Sequence, residues 1–201
     1  MRSSLLLAPV ALLALTCGCS KEEPKSTPGG GTPSAPAAGK NGAKHLEEAN
    51  AAFEKQEWKK ASASFEAALA DASLSNDEKA AAWLDKVTAD ASGDGDAAGK
   101  ATVAKLVKSG VTFTADQLAG RALELAKSEH AGAALDLVAF ALEKFGSDAA
   151  VKKKLNKVMK ECEKAFKSAG ASDGLDALKR LGYTGGDSDD EAAEEPTKSG
   201  Q

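Results

Sequence analysis

Between residues 44 and 183 the apolar positions recur three and four apart, the pattern of helices that turn one face to a core. Leu46, Ala49 and Phe53 share one face, and Trp58, Ala61, Phe65, Ala68, Leu69 and Ala72 form the next stripe. Leu74-Ser75-Asn76-Asp77-Glu78 predicts a helix start. Ser75 can cap the free amides, and Glu78, three residues on, can reach back to close a capping box. That helix carries Ala80, Trp83, Leu84, Val87 and Ala91 on one side. Residues 92–96, Ser-Gly-Asp-Gly-Asp, predict its break, and Val103, Leu106 and Val107 mark the helix that follows.

Phe113-Thr114-Ala115-Asp116-Gln117-Leu118 is the clearest start signal in the chain. Thr114 caps, Gln117 closes the box, and Phe113 can staple against Leu118. Leu118, Ala122 and Leu125 form its buried face; the partner helix shows Ala134, Val138, Ala141, Leu142 and Phe145 and stops at Gly146. Ser147 is expected to cap a longer helix bearing Val151, Leu155, Val158, Cys162 and Phe166. A short helix over about 172–181 carries Leu175, Leu178 and Leu181. Helix pairs therefore start near Ala43, Asn76, Ala115 and Ala149, at intervals of roughly 33 to 39 residues.

Composition supports helices. The 201 residues are 42% hydrophobic but only 4% aromatic, and 42 of them are alanine, the best helix former. Sheets favour branched and aromatic side chains, so an all-β fold is disfavoured. A formal charge of −4 argues against a dedicated nucleic-acid binder, whose footprint is basic. With two histidines and three cysteines, little is left for a metal site or a disulfide framework.

The two ends differ from the helical block. Residues 1–20 place Arg2 before an eleven-residue apolar run, Leu5 to Leu15, too short to span a bilayer of ~30 Å but suited to a secretory signal. Residues 21–43 hold Pro24, Pro28, Pro33, Pro36 and a triple glycine, and are expected to act as a flexible spacer. Residues 184–201 carry Asp187, Asp189, Asp190, Glu191, Glu194 and Glu195 against Lys198, an expected solvated, disordered tail that could also lure a basic partner.

Gly18-Cys19 resembles the cleavage junction of a bacterial lipoprotein signal, although Thr16 stands where that family usually has leucine. The resemblance implies a signal peptide over 1–18, a lipid on Cys19 and an envelope location on the periplasmic side. Ser20, where an inner-membrane retention signal would be aspartate, points to the outer membrane. The alternative is ordinary signal cleavage that leaves the Cys19 thiol unmodified.

Within the block, residues 48–69 resemble a tetratricopeptide (TPR) repeat. Ala49 and Ala61 stand at the small positions, Trp58 at the turn aromatic, and Phe65, Ala68 and Leu69 on the second-helix face. Ala134, Val138, Ala141 and Leu142 repeat that face, while the units after Asn76 and Ala149 are degenerate. The resemblance implies an all-α fold, a short α-solenoid of TPR-like helix pairs over 44–183, with a generic alanine-rich bundle as the alternative. It also implies a groove lined by first helices, where Leu46, Asn50 and Phe53 would meet an envelope protein or peptide. Asn50 stands where many TPR domains bond a ligand backbone; Leu46 replaces the lysine that chaperone-binding members pair with it.

Other chemistry fails to assemble. Gly93 to Lys100 has five residues between its outer glycines where a phosphate-binding loop needs four, and Ala101 replaces the hydroxyl. Asp90, Ser92, Asp94 and Gly95 echo a calcium loop whose closing glutamate is replaced by Ala101. Cys162 falls on an apolar stripe and reads as a small core hydrophobe, with His45 and His130 remote from it in sequence. Lys152, Lys153, Lys154, Lys157, Lys160, Lys164 and Lys167 against Glu161 and Glu163 give one helix +5. That face is either simply solvated or attracts cell-wall or lipid polyanions.

The sequence reading is therefore a membrane-anchored, non-enzymatic envelope adaptor with no cofactor, no metal and no nucleic-acid partner. The alternative function is polyanion binding through Lys153, Lys157, Lys160 and Lys164.

Overall fold

The computed structural model describes residues 41–185. The signal segment, Cys19, most of the spacer and the six tail acids lie outside the described residues. Those described form an all-α fold of eight helices: α1 (Gly42–Glu54), α2 (Trp58–Leu69), α3 (Asn76–Asp94), α4 (Asp96–Lys108), α5 (Ala115–Lys127), α6 (Ala131–Phe145), α7 (Ala149–Ala169) and α8 (Ser172–Arg180). The four expected pair starts fall within a residue of the first residues of α1, α3, α5 and α7. No helix among the described residues is long and apolar enough to cross a membrane.

Local chemistry sets the boundaries. Ser75 and Thr114 each accept from the backbone N–H three residues on, and Glu78 and Gln117 each accept from the cap residue's own N–H, completing both capping boxes. Leu74 and Phe113, the residues before the caps, are buried, and the Phe113 ring meets Phe140 edge-on at 6.1 Å. For α7 the cap is Asp148, not Ser147: its Oδ1 accepts from Ala150 N at 2.8 Å and Val151 N at 3.2 Å. Ser147 lies one residue too early for its hydroxyl to serve the first turn.

The break between α3 and α4 is narrower than residues 92–96 suggest. The first of these helices continues through Asp94, and Gly95 alone turns the chain at φ 92°, ψ 172°, a conformation reserved for glycine. By contrast, the α1–α2 and α5–α6 turns carry no glycine. Both have three residues with the middle one left-handed, Gln56 at φ 58° and Glu129 at φ 66°. Each closes with the same backbone bond, Glu57 N–H to Ala52 O and His130 N–H to Leu125 O, both 2.9 Å. The same turn thus recurs in two hairpins.

Each helix packs against the next in sequence except α4 and α5, which meet little; α4 packs instead against α6, and α5 also against α7. The central element is α6, which touches α4, α5 and α7 and is buried on most of its circumference, from Ala131 through Leu135 and Leu137 to Ala141. Small residues allow close approach. A Cβ on Gly99 of α4 would lie 2.8 Å from Ala91 Cβ of α3 and 3.1 Å from Ala133 Cβ of α6. Of the three residues that mark α4 in the sequence, Val103 and Leu106 are buried and Val107 is 42% exposed.

The apolar interior falls into two clusters. The larger one spans α3 to α8. The smaller joins α1 and α2 to a second face of α3 through Ala82 and Ala89. Ala80, Leu84, Val87 and Ala91 serve the larger cluster, so α3 is buried on two sides. Between the clusters on that second face sits Lys86, only 4% exposed.

One close contact makes a sharp test. Asp96, at the start of α4, accepts from Ala133 N at 2.8 Å and so caps α6 from another helix. A Cβ on Gly132 would sit 2.0 Å from Asp96 Oδ2. Alanine is favoured over glycine in a helix by about 1 kcal/mol, and losing a cap costs about as much. Gly132→Ala is therefore expected to leave stability nearly unchanged in the natural chain and to raise it by about 1 kcal/mol in an Asp96→Ser background. Thermal melts of the four proteins check that difference.

Candidate functional site

The expected groove residues lie on α1, and the structure separates them. Leu46 and Asn50 border a shallow depression of about 400 Å³, with Ala43, Glu47, Ala51 and Glu54 of the same helix and Glu78 from the first turn of α3. This depression lies between the first helices of two successive hairpins. Phe53 does not line it. That ring turns inward, edge-on to Trp58 at 5.3 Å and Phe65 at 6.1 Å, as part of the smaller core.

Why the face divides this way follows from helical phase. Ala49 and Ala52 are buried against α2, which leaves positions 43, 47, 50 and 54 on the opposite, solvent side. Phe53 falls on the edge of the buried side, and an aromatic there gains more by packing than by exposure. Asn50 is exposed, and its side-chain amide forms no hydrogen bond among the described residues. Glu78 is held in the depression's rim by its capping box, and hydrogen bonds from the Ser75 hydroxyl and backbone hold its carboxyl below the ordinary glutamate range. Glu47 and Glu54 form no ion pair among the described residues. The surface thus combines a leucine, two alanines, a free amide and three acids.

The lysine face is also where helical phase puts it. Lys153, Lys157, Lys160 and Lys164 lie on the side of α7 opposite Val151, Leu155, Val158, Cys162 and Phe166. Lys154 pairs with Asp116 of α5, Lys164 with Glu161 at 2.8 Å, and Lys167 with Glu163 at 2.7 Å. Hydrogen bonds from Lys167 and then Tyr183 hold the Glu163 carboxyl low. The aromatic residue of α7, Phe166, is buried on the opposite side.

Residues 90–101 form neither a phosphate loop nor a calcium loop. Asp90 lies within α3 and points into the junction of three helices, where it accepts from Ser62 of α2, Lys86 of α3 and Thr102 of α4. Lys86 Nζ also donates to Ser62 Oγ at 2.7 Å and lies 3.4 Å from Glu66 Oε2. Among the described residues no group of histidine, cysteine, aspartate and glutamate could hold a metal.

Compared with family models, characterised proteins and solved structures, the chain matches none.

Cys162 is fully buried, and burial, reinforced by the nearby charge of Asp96, pushes its thiol up to about 12. Such a thiol carries almost no thiolate at neutral pH and is a poor nucleophile. Asp85 of α3 is also pushed up by burial, an effect only partly countered by Arg121 of α5, which donates to it and to Thr88 Oγ1 at 3.2 Å. This pair ties α3 to α5. Like the Lys86 junction, it escaped sequence reasoning, because a charged residue on a helix reads as solvent-facing unless the second buried face is known.

Proposed function

We propose that this chain is a lipid-anchored, non-enzymatic adaptor of a bacterial envelope that holds a partner protein on the α1–α3 face. The observation that carries this reading is the depression bordered by Leu46 and Asn50 between the first helices of consecutive hairpins. A TPR-like reading of those hairpins is supported by the matching Gln56 and Glu129 turns and by the matched caps at Ser75 and Thr114. Apolar side chains flanked by a free amide and three acids suit an extended or helical segment carrying both apolar and basic residues. Lipid on Cys19 would anchor the protein, and the proline- and glycine-rich spacer would hold the helical block away from the bilayer.

Glu47→Ala/Asn50→Ala is the matching control, because both residues are exposed on the surface side of α1 and lie outside the Phe53–Phe65 core. Proteins recovered with the natural chain from detergent-solubilised membranes should be lost with this variant, which should melt within about 1 kcal/mol of the natural chain. Equal recovery with both would refute the groove. Mass spectrometry of the mature protein should find Cys19 acylated at the new N-terminus; an unmodified thiol would remove the anchor.

The exposed lysine stripe on α7 supports the second reading, binding of cell-wall or lipid polyanions. Co-sedimentation with peptidoglycan or anionic vesicles that collapses as salt is raised would favour it over the groove.

A further inference from the structure

The last described residues run onto α7. Tyr183 is half-buried against the larger core, its N–H donates to Leu178 O at 3.1 Å, and its Oη donates to Glu163 Oε2 at 3.0 Å. Gly185 lies on the same residue: a Cβ there would be 3.4 Å from Glu163 Oε1. The chain thus leaves the described region beside Glu163, in the same turns of α7 as Lys160, Lys164 and Lys167. The next residues hold the tail acids, six of them between 187 and 195.

Along α7 the positive charge is uneven. At its C-terminal end Lys164 and Lys167 are paired with Glu161 and Glu163. Towards the N-terminal end, Lys152, Lys153 and Lys157 are exposed and make no ion pair among the described residues. From Glu163 back to Lys153 is ten residues, ~15 Å of helix at 1.5 Å each. Extended chain covers roughly 3.3 Å per residue, so the nine residues from 187 to 195 are long enough to follow the whole stripe. The two charge patterns therefore match in sign, in length and in point of departure.

We propose that the acidic segment 187–195 is the resident occupant of the α7 lysine face, and that an outside polyanion must displace it to bind there. Single exposed ion pairs are weak, worth less than about 1 kcal/mol each. A tether this short places the acids at an effective concentration on the order of millimolar, which makes several weak pairs sufficient. Such an occupant is screened by salt and acts only within its own chain.

Zero-length carbodiimide cross-linking of the dilute full-length chain tests this directly. Cross-links from residues 187–195 are expected on Lys153, Lys157 and Lys164, within single chains, and should vanish in high salt. Cross-links only between chains, only on lysines of other helices such as Lys59 or Lys105, or none at all would overturn the proposal. Displacement is tested with inorganic polyphosphate at low salt. Replacing the six acids by their amides should raise its affinity by about tenfold, an effect absent in a Lys153→Glu/Lys157→Glu/Lys164→Glu background. Equal binding by both tail forms, or binding by neither, would overturn the claim that the tail guards the face.

Discussion

Asp90→Ala is expected to destabilise the protein by about 3 kcal/mol, far beyond what a partly exposed aspartate normally contributes. Its carboxylate is the common acceptor for Ser62, Lys86 and Thr102, so one substitution releases α2, α3 and α4 together. Lys86 would then remain buried with only Glu66, at 3.4 Å and largely exposed, to answer its charge. Removing the cation instead is milder. Lys86→Met keeps the aliphatic stem and leaves Asp90 its two hydroxyl donors, so the change should stay within about 1 kcal/mol of the natural chain. Urea denaturation of the two variants decides the matter. Similar losses for both, or a loss below about 1 kcal/mol for Asp90→Ala, would mean that the junction is not what joins the first hairpin to the rest.

Phe65→Ala should cost more, about 3–5 kcal/mol, and the loss should be local. Every other fully buried residue of the smaller cluster is alanine: Ala49, Ala52, Ala61, Ala82 and Ala89. Side chains that short cannot move into the space left by a phenyl ring, so the cavity persists. Phe53 would lose its edge contact with Phe65 as well. Because this cluster meets the larger one through α3, amides of α1 and α2 should exchange roughly a hundred- to several-thousandfold faster while those of α6 and α7 change little. Uniform acceleration through α5 to α7 would show that the two clusters unfold as one.

Both expectations rest on residues that sequence patterning treats very differently. Phe65 stands on an obvious stripe, and its burial follows from the i, i+3, i+4 spacing alone. Lys86 lies beside the stripe of Ala80, Leu84, Val87 and Ala91, on a line with Ala82 and Ala89 that looks like an ordinary exposed face. Alanine is compatible with either environment, so a face made of alanine and lysine carries no signal of burial. The candidate groove divides similarly. Asn50 is exposed and Leu46 half-buried where the depression meets the smaller core, while the Phe53 ring, one helical step away, packs on Phe65.

What the chain determines locally was legible in advance. Helical content, the hairpin starts, the two capping boxes, the apolar face of α7 and the lysine stripe opposite it depend on contacts within a few residues. Tertiary packing decided the rest: that α3 is buried on two sides, that α6 is central, that Asp96 caps α6 from another helix and that Asp90 gathers three helices. Each of these depends on which helices become neighbours. In a chain so rich in alanine many faces pack almost equally well, so neighbours are chosen by a few large rings, close-fitting glycines and buried charges whose partners lie far along the sequence.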